Sequence, residues 1–437
     1  MKQRCFLIAF LATVAVAQNP IVPPGVYFAD PSGHVWNDGK LYVYGSLDES
    51  PTYYCSNRHH VLVTEDLQNW KIVENVFASA GKDDQVPWTD APLYAPDCMA
   101  RNSLYFLYYC TPDVRHSEGV AVSTSPTGPF REAKPIELYG YNQIDPSVFI
   151  DDDGQAYYLW GQFTAKMAKL KPNMIELDRS TIRDSVLTEK EHHFHEGGFL
   201  TKRNGIYYFI YAHMGRSQKP TCIGYATAST PMGPYRYGGV IIDNDDCDPG
   251  NWNNHGSIVE FKGNWYVLYH RATHNSKMMR KACIEPITFN ADGSINEVEM
   301  TSQGVGGPLN AFAPIEAERA CLMNGNVRIQ LISENNEALA EIHNEDRAVF
   351  KYVDFGKGAK RVTVRAAAAE GGVIEMCLDY PWKAVVARVE IPAGDGKTWR
   401  DYSAKVAGAA GVRALWLRFY GGEDRLFDID RVQFESQ

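Results

Sequence analysis

At 437 residues the chain is too long for one ordinary hydrophobic core, so two domains are expected. Its formal net charge is −10 and it carries no Lys/Arg block, so nothing recommends nucleic acid or an anionic membrane as partner. With 25 Tyr and 9 Trp among evenly scattered Gly and Pro, the composition suits many short strands better than long helices.

The chain opens with Lys2 and Arg4 before an apolar run from Cys5 to Val16, which ends in Ala15-Val16-Ala17. This three-part pattern predicts a secretory signal peptide over residues 1–17, and the run is too short to span a bilayer. A lipoprotein would need a cysteine just after the run, but Cys5 lies at its start. Export as a soluble protein, secreted or periplasmic, is therefore expected. No later segment reads as a membrane span. Eight cysteines then remain, at 55, 98, 110, 222, 247, 283, 321 and 377. They are far apart, with no C-x-x-C pair to suggest zinc, and their pairing is left open.

Five similar stretches follow. They are "DPSGHVWNDGKLYVYGS" from Asp30, "APDCMARNSLYFLYYC" from Ala95, "DPSVFIDDDGQAYYLWG" from Asp145, "EGGFLTKRNGIYYFIYA" from Glu196 and "HGSIVEFKGNWYVLYHR" from His255. Each has a polar anchor, a short strand, a turn and an aromatic strand. Asp38-Gly39, Asp153-Gly154 and Asn204-Gly205 are hairpin signals. The anchors Asp30, Asp97, Asp145, Glu196 and His255 lie about 48 to 67 residues apart, the spacing of four-stranded propeller blades. Residues 18–306 are thus predicted to form a five-bladed β-propeller whose first strands line the axis and bring all five anchors to one end. The acids Asp151 to Asp153 belong to a turn. "SQGVGGPLNAFAP" reads as a connector, with the linker at 307–314. Short alternating segments over 315–437 predict a β-sandwich of jelly-roll type, so the fold class is all-β throughout.

Three anchors, Asp30, Asp145 and Glu196, are carboxylates. Glycoside hydrolysis needs two carboxyl groups across the scissile bond, one protonated to assist the leaving oxygen and one to activate water or attack. A third acid nearby can raise the pKa of the proton donor by like charge. Two other clusters look metal-like without the right order of ligands. "HHFHE" (192–196) is not H-E-x-x-H, and "DNDDCDPGN" (243–251) lacks the closing Glu of an EF-hand and reads as a solvated rim loop.

In these motifs the chain resembles glycoside hydrolase family 43, over roughly Asn19 to Leu309. The resemblance implies a five-bladed propeller with inverting chemistry. Asp30 in "FADPSGHVW" would be the general base, Asp145 in "IDPSVFIDDDG" the pKa-tuning acid and Glu196 in "HEGGFLTKRNGIYYFIY" the general acid. The family often has "EGP" where this chain has Glu196-Gly197-Gly198, and "WAPD" where it has "YAPD" at Tyr94. The resemblance also implies that His255 helps hold a calcium ion near the axis, beside its substrate, and that Arg280 lies near the reacting sugar. Trp88 is a candidate for stacking on a sugar face. An inverting site should hold its two carboxyls about 6.5–9.5 Å apart to admit water.

"IEAERA", "VDFGKGAKRVTVRAA" and "FDIDRVQFES" resemble carbohydrate-binding module family 6. That resemblance implies a structural calcium at Glu316, Glu318 and Asp430, and a sugar platform at Trp399. The partner aromatic is missing, and Asp428 stands where a sugar-binding asparagine is usual. Together the two resemblances imply a monomeric exo-glycosidase acting on arabinoxylan-like plant cell-wall polysaccharide. α-L-Arabinofuranosidase is the leading expectation and β-D-xylosidase the nearest rival. A non-catalytic sugar-binding propeller and a purely structural scaffold are the readings from other classes.

Overall fold

Alternating aromatic strands joined at glycine turns fold back on themselves, and the computed structural model, which describes residues 13–15 and 18–437, arranges them as five antiparallel sheets and a sandwich. The predicted signal peptide lies almost wholly outside the described residues. No helix among the described residues is long and apolar enough to cross a membrane. At Asn204-Gly205 both turn residues are left-handed (φ 51° and 78°), as a tight two-residue hairpin requires.

Blade one holds Phe28–Val35, Leu41–Leu47, Arg58–Thr64 and Asn69–Ala78. Blade two holds Tyr94–Arg101, Leu104–Cys110, Glu118–Ser123 and Arg131–Pro135, and blade three Ser147–Ile150, Ala156–Trp160, Thr164–Lys169 and Arg183–Thr188. Blade four holds Phe194–Arg203, Ile206–His213, Cys222–Ala228 and Arg236–Asp243; blade five has only Ser257–Phe261, Asn264–Ala272 and Arg280–Ile287. The first strands of neighbouring blades pack on one another around the axis, and each wedge between blades holds its own apolar cluster. The segment from Asn19 to Ile21 lies along the short fifth blade. Ile21 N donates to Ala282 O at 2.9 Å, and the Asn19 side chain bonds both ways with Ile284.

The sandwich stacks two sheets over a core that includes Phe350, Leu417, Phe419, Ile429 and Phe434. The expected linker is corrected here. Leu309–Asn310 pairs in parallel with Val353–Asp354, and Leu309 and Ala311 are buried in the sandwich core. Their apolar side chains draw the Gly/Pro-rich stretch into the second domain.

The two domains are joined by buried polar contacts. Lys281 of blade five pairs with Glu337 of the sandwich at 2.8 Å, and Tyr27 Oη and Gly25 N also donate to that carboxylate. Ile329 N donates to Thr273 O, and Ser302 N to Lys351 O. Removing one partner of a buried pair leaves the other charge uncompensated. Lys281→Met is expected to lower stability by about 3–5 kcal/mol, read as a fall in urea midpoint. An unchanged midpoint would show that the pair does not secure the domain junction.

All eight cysteines of the described chain are buried and unpaired.

Candidate active site

A bulge recurs at the head of the blades. Asp30, Ala95, Asp145 and Gly197 all have left-handed backbones (φ 53°, 37°, 63° and 65°), and strand register slips at this place in blades one, two and four. Left-handed geometry costs energy outside glycine and persists where surrounding structure enforces it. Here it sets Asp30, Asp145 and Glu196, with His255 of blade five, around a cavity of about 290 Å³.

The equivalence corrects the second anchor. Ala95, not Asp97, holds the left-handed position and lines the cavity. Asp97 is two residues further on, so its buried side chain braces the ring instead. It accepts from Ser32 Oγ, His34 Nε2 (2.6 Å) and Val148 N (2.8 Å), tying blades one, two and three. Four anchors therefore converge, and the fifth is structural.

Asp30 is buried and tightly held. Arg280 Nη1 donates to Oδ1 at 2.8 Å and Ser46 Oγ to Oδ2 at 2.6 Å. The rest of the Arg280 guanidinium grips Asp48 with two bonds of 2.9 Å. Burial alone would raise the Asp30 pKa, but the charges of Arg280 and His255 outweigh it and hold the carboxyl well below the usual carboxylate range. His270 receives the Asp30 amide on Nδ1 and faces Asn253 O with Nε2. Burial pushes its pKa down to about 3, so it is neutral, with its proton on Nε2. Asp30 is thus an ionised acceptor facing the cavity.

Asp145 has the opposite environment. Burial, then the charges of Glu196 and Asp30, push it up to about 7 against the opposing charge of His255. The amide of Gly197 points at it, which couples it to the backbone beside Glu196. Glu196 is held on both oxygens, by Gln162 Nε2 at 2.8 Å and Asn253 Nδ2 at 3.0 Å. Either amide can turn its oxygen to a protonated carboxyl, so this pair can orient both states of a proton donor. Asp30 and Glu196 stand on blades one and four, which are not neighbours in the ring.

The remaining expectations fare differently. Arg280 lies in the cavity wall with its charge neutralised by Asp30 and Asp48. Trp88 does not line the cavity; its ring packs beside Gly119 and edge-on to His116. Tyr54, Tyr94 and Trp252 are the aromatics that do line it. Trp399 is half-buried on an edge strand of the sandwich. Asp428 pairs with Arg425 at 2.8 Å and accepts the Glu341 amide. The histidines of "HHFHE" diverge: His192 closes a one-turn helix, while His195 faces Glu189 at 3.2 Å.

Sequence reasoning missed Gln162, Asn253, Trp252, Ser46, Asp48 and Tyr54. "DNDDCDPGN" is one reason. Asn244, Asp248 and Asn251 are buried and bond within this segment and to the following loop, so it is a braced arm that delivers Trp252 and Asn253 to the cavity.

The calcium positions were tested on their donors. His255 has Nδ1 3.5 Å from Asp30 and 4.0 Å from Asp145, while Nε2 lies against Gly197, where a Cβ would come within 2.7 Å. Burial would lower its pKa, but the three acids around it push it up to about 9, so the ring is a cation. Calcium prefers oxygen, and this ring turns Nδ1 to the carboxylates and Nε2 to the backbone of Gly197. No step is drawn through an ion there. In the sandwich the fit is better at Glu318, whose Oε2 is buried without a partner; burial and the nearby acids Glu337 and Glu316 push its pKa up to about 7, with Arg319 opposing. Burial and the charge of Asp430 raise Glu316 too. Asp430 itself is engaged by Asn336, Arg431 and Arg365.

Residues 17–295 match Glycosyl hydrolases family 43, and residues 316–436 match Carbohydrate binding module (family 6). The arabinoxylan arabinofuranohydrolase of Bacillus subtilis (strain 168) is 30% identical over 94% of this chain and 91% of its own. A xylosidase/arabinosidase of Thermoclostridium stercorarium is 29% identical over 92% and 96%. Among solved structures, a family 43 arabinoxylan arabinofuranohydrolase of Bacillus subtilis, in complex with cellotetraose, shares 27% identity. It aligns with TM-score 0.56 over 97% of this chain and 98% of that one. An α-L-arabinofuranosidase of Clostridium thermocellum shares 34% identity at TM-score 0.52, over 62% and 93%. Since the first match spans the whole ring that builds the cavity, and the second the sandwich behind it, the chain belongs to glycosyl hydrolase family 43 and is a glycoside hydrolase with a family 6 carbohydrate-binding module.

Proposed function

We propose that the protein is an exported, inverting exo-acting α-L-arabinofuranosidase that trims arabinoxylan-type plant polysaccharide. The observation that carries this reading is the pairing of an ionised Asp30 with an amide-held Glu196 across one small cavity. A volume of about 290 Å³ suits one terminal sugar rather than a threaded chain. Asp30 takes a proton from water as the water oxygen bonds to the anomeric carbon. The glycosidic C–O bond breaks, and Glu196 gives its proton to the leaving oxygen. Asp145, whose carboxyl burial and the charges of Glu196 and Asp30 push up to about 7, stands beside both as the third acid of the cavity and receives the Gly197 amide next to the donor. The relatives named for arabinoxylan support the substrate, and the leader pattern supports export.

A structural calcium at Glu316, Glu318 and Asp430 belongs to this reading, supported by the unpartnered oxygen of Glu318. When bound, it would neutralise that cluster and stiffen the start of the sandwich. The rival activity, β-D-xylosidase, is favoured by relatives named xylosidase/arabinosidase.

A proton NMR time course with arabinoxylan tests the proposal. Arabinose should appear first as the inverted anomer. Xylose would move the assignment to the rival, and retention of configuration would overturn the water-attack mechanism.

A further inference from the structure

One hairpin of the sandwich exposes aromatic surface that the fold does not use. The turn between strands Gly372–Leu378 and Val385–Ile391 carries Tyr380 and Trp382, which are 50% and 74% exposed. Their rings lie 5.1 Å apart at an interplanar angle of 21°, so each holds the other flat. Pro381 between them restricts the turn further. Lys383 Nζ lies 5.9 Å from the centre of the Tyr380 ring, and paired exposed aromatics of this kind usually mark binding surfaces.

The surroundings show what such a surface would take. Trp382 is one wall of a hollow of about 310 Å³ lined also by Glu345, Arg347, Pro381, Arg418 and Tyr420. Arg347 has no ion-pair partner among the described residues, whereas Arg418 pairs with Glu375 through Nη2 and leaves Nε without a hydrogen-bond partner. The lining thus sets donors and an acceptor beside flat rings, a chemistry that suits a neutral hydroxylated ring. The hollow continues. Arg347 also lines a neighbouring depression with Asp246 and Leu322, across the domain junction. Asp246 and Leu322 line a third, reaching Arg216 on the propeller. Asp246 belongs to the braced arm that carries Trp252 and Asn253 into the catalytic cavity.

We infer that Tyr380 and Trp382 form a platform for a neutral polysaccharide backbone, which runs in the trough across the domain junction toward the catalytic arm. This rests on the polysaccharide reading above but uses none of its catalytic residues. It also relocates sugar binding on the sandwich away from Trp399. The platform holds the backbone, while the cavity admits only a terminal sugar.

The test uses the full chain with Trp382→Ala, the double variant Tyr380→Ala/Trp382→Ala, and Trp399→Ala. Two quantities are read: retention by insoluble arabinoxylan and by soluble xylan in an affinity gel, and hydrolysis of a small aryl arabinofuranoside. Trp382→Ala should weaken retention about tenfold or more, as loss of a central aromatic anchor does, with aryl-arabinoside turnover unchanged. Trp399→Ala should leave retention intact. Wild-type retention in the double variant would overturn the platform, as would loss of retention in Trp399→Ala alone. No retention by wild type would overturn it too, while leaving a glycosidase reading supported by turnover. If instead nothing is hydrolysed but Trp382→Ala still loses retention, the platform stands and the catalytic assignment fails. Concentration-dependent dimerisation abolished by Trp382→Ala, with retention unchanged, would make the patch a self-association surface.

Discussion

Glu196→Gln is expected to lower kcat/KM on arabinoxylan by about 10³-fold or more, within the range a positioned general acid supplies. The loss should depend on the leaving group. A polysaccharide oxygen needs a proton to depart, whereas an activated aryl group departs nearly unaided. The same variant should therefore lose far less on a nitrophenyl arabinofuranoside, and the ratio of the two losses is the diagnostic quantity. Gln162 and Asn253 can hold the new amide as they hold the carboxylate, so folding should be unaffected. Steady-state kinetics on the two substrates check this. Equal losses on both would show that Glu196 does not donate the proton.

The second large effect is at Arg280. This one side chain neutralises Asp30 and Asp48, both buried. Arg280→Met leaves two carboxylates uncompensated and is expected to cost about 3–5 kcal/mol. Asp30 has a folded pKa below its unfolded value, so its stabilisation is present above the unfolded value and is lost as pH falls through the folded one. The wild type should therefore lose this contribution on acidification below about pH 4, and Arg280→Met should lack it. Activity supplies the second readout. Without the guanidinium, burial raises Asp30, so the acidic limb of the kcat/KM profile should move to higher pH. Arg280→Lys should restore part of the stability but not the limb, because one ammonium cannot grip Asp48 with two bonds and reach Asp30 as well. An acidic limb unmoved in both variants would show that Asp30 is not the group that must be ionised.

Much of this architecture is legible in the chain. The hairpins at Asp38-Gly39, Asp153-Gly154 and Asn204-Gly205 form as their turn residues require, because glycine and asparagine accept positive φ where other residues resist it. The repeat of polar anchor, turn and aromatic strand carries the blade count, since each unit must bury its aromatic face against the next. The pattern misleads where an offset of two residues matters. Asp97 shares the look of an anchor, yet the left-handed position falls on Ala95, and a shift along a strand changes what the side chain meets. Trp88 fails for a related reason: nothing local distinguishes a tryptophan that wedges between strands from one that faces a cavity.

The sequence by itself determined the all-β class, the two units and the motifs that hold the three acids, because periodicity and turn chemistry are local and repeat. Only the tertiary structure decided the charge state of each acid. Asp30 and Asp145 sit in nearly identical "DPS" motifs, but Arg280, 250 positions away from Asp30, reaches one and not the other. Their pKa values are therefore driven in opposite directions by partners that folding alone brings near. The same is true of Asn253 and Trp252, which gain their place from a loop braced by its own buried acids and amides, and of the trough that joins the sandwich to the propeller. Burial removes water's screening, so a distant residue can outweigh every neighbour in the chain.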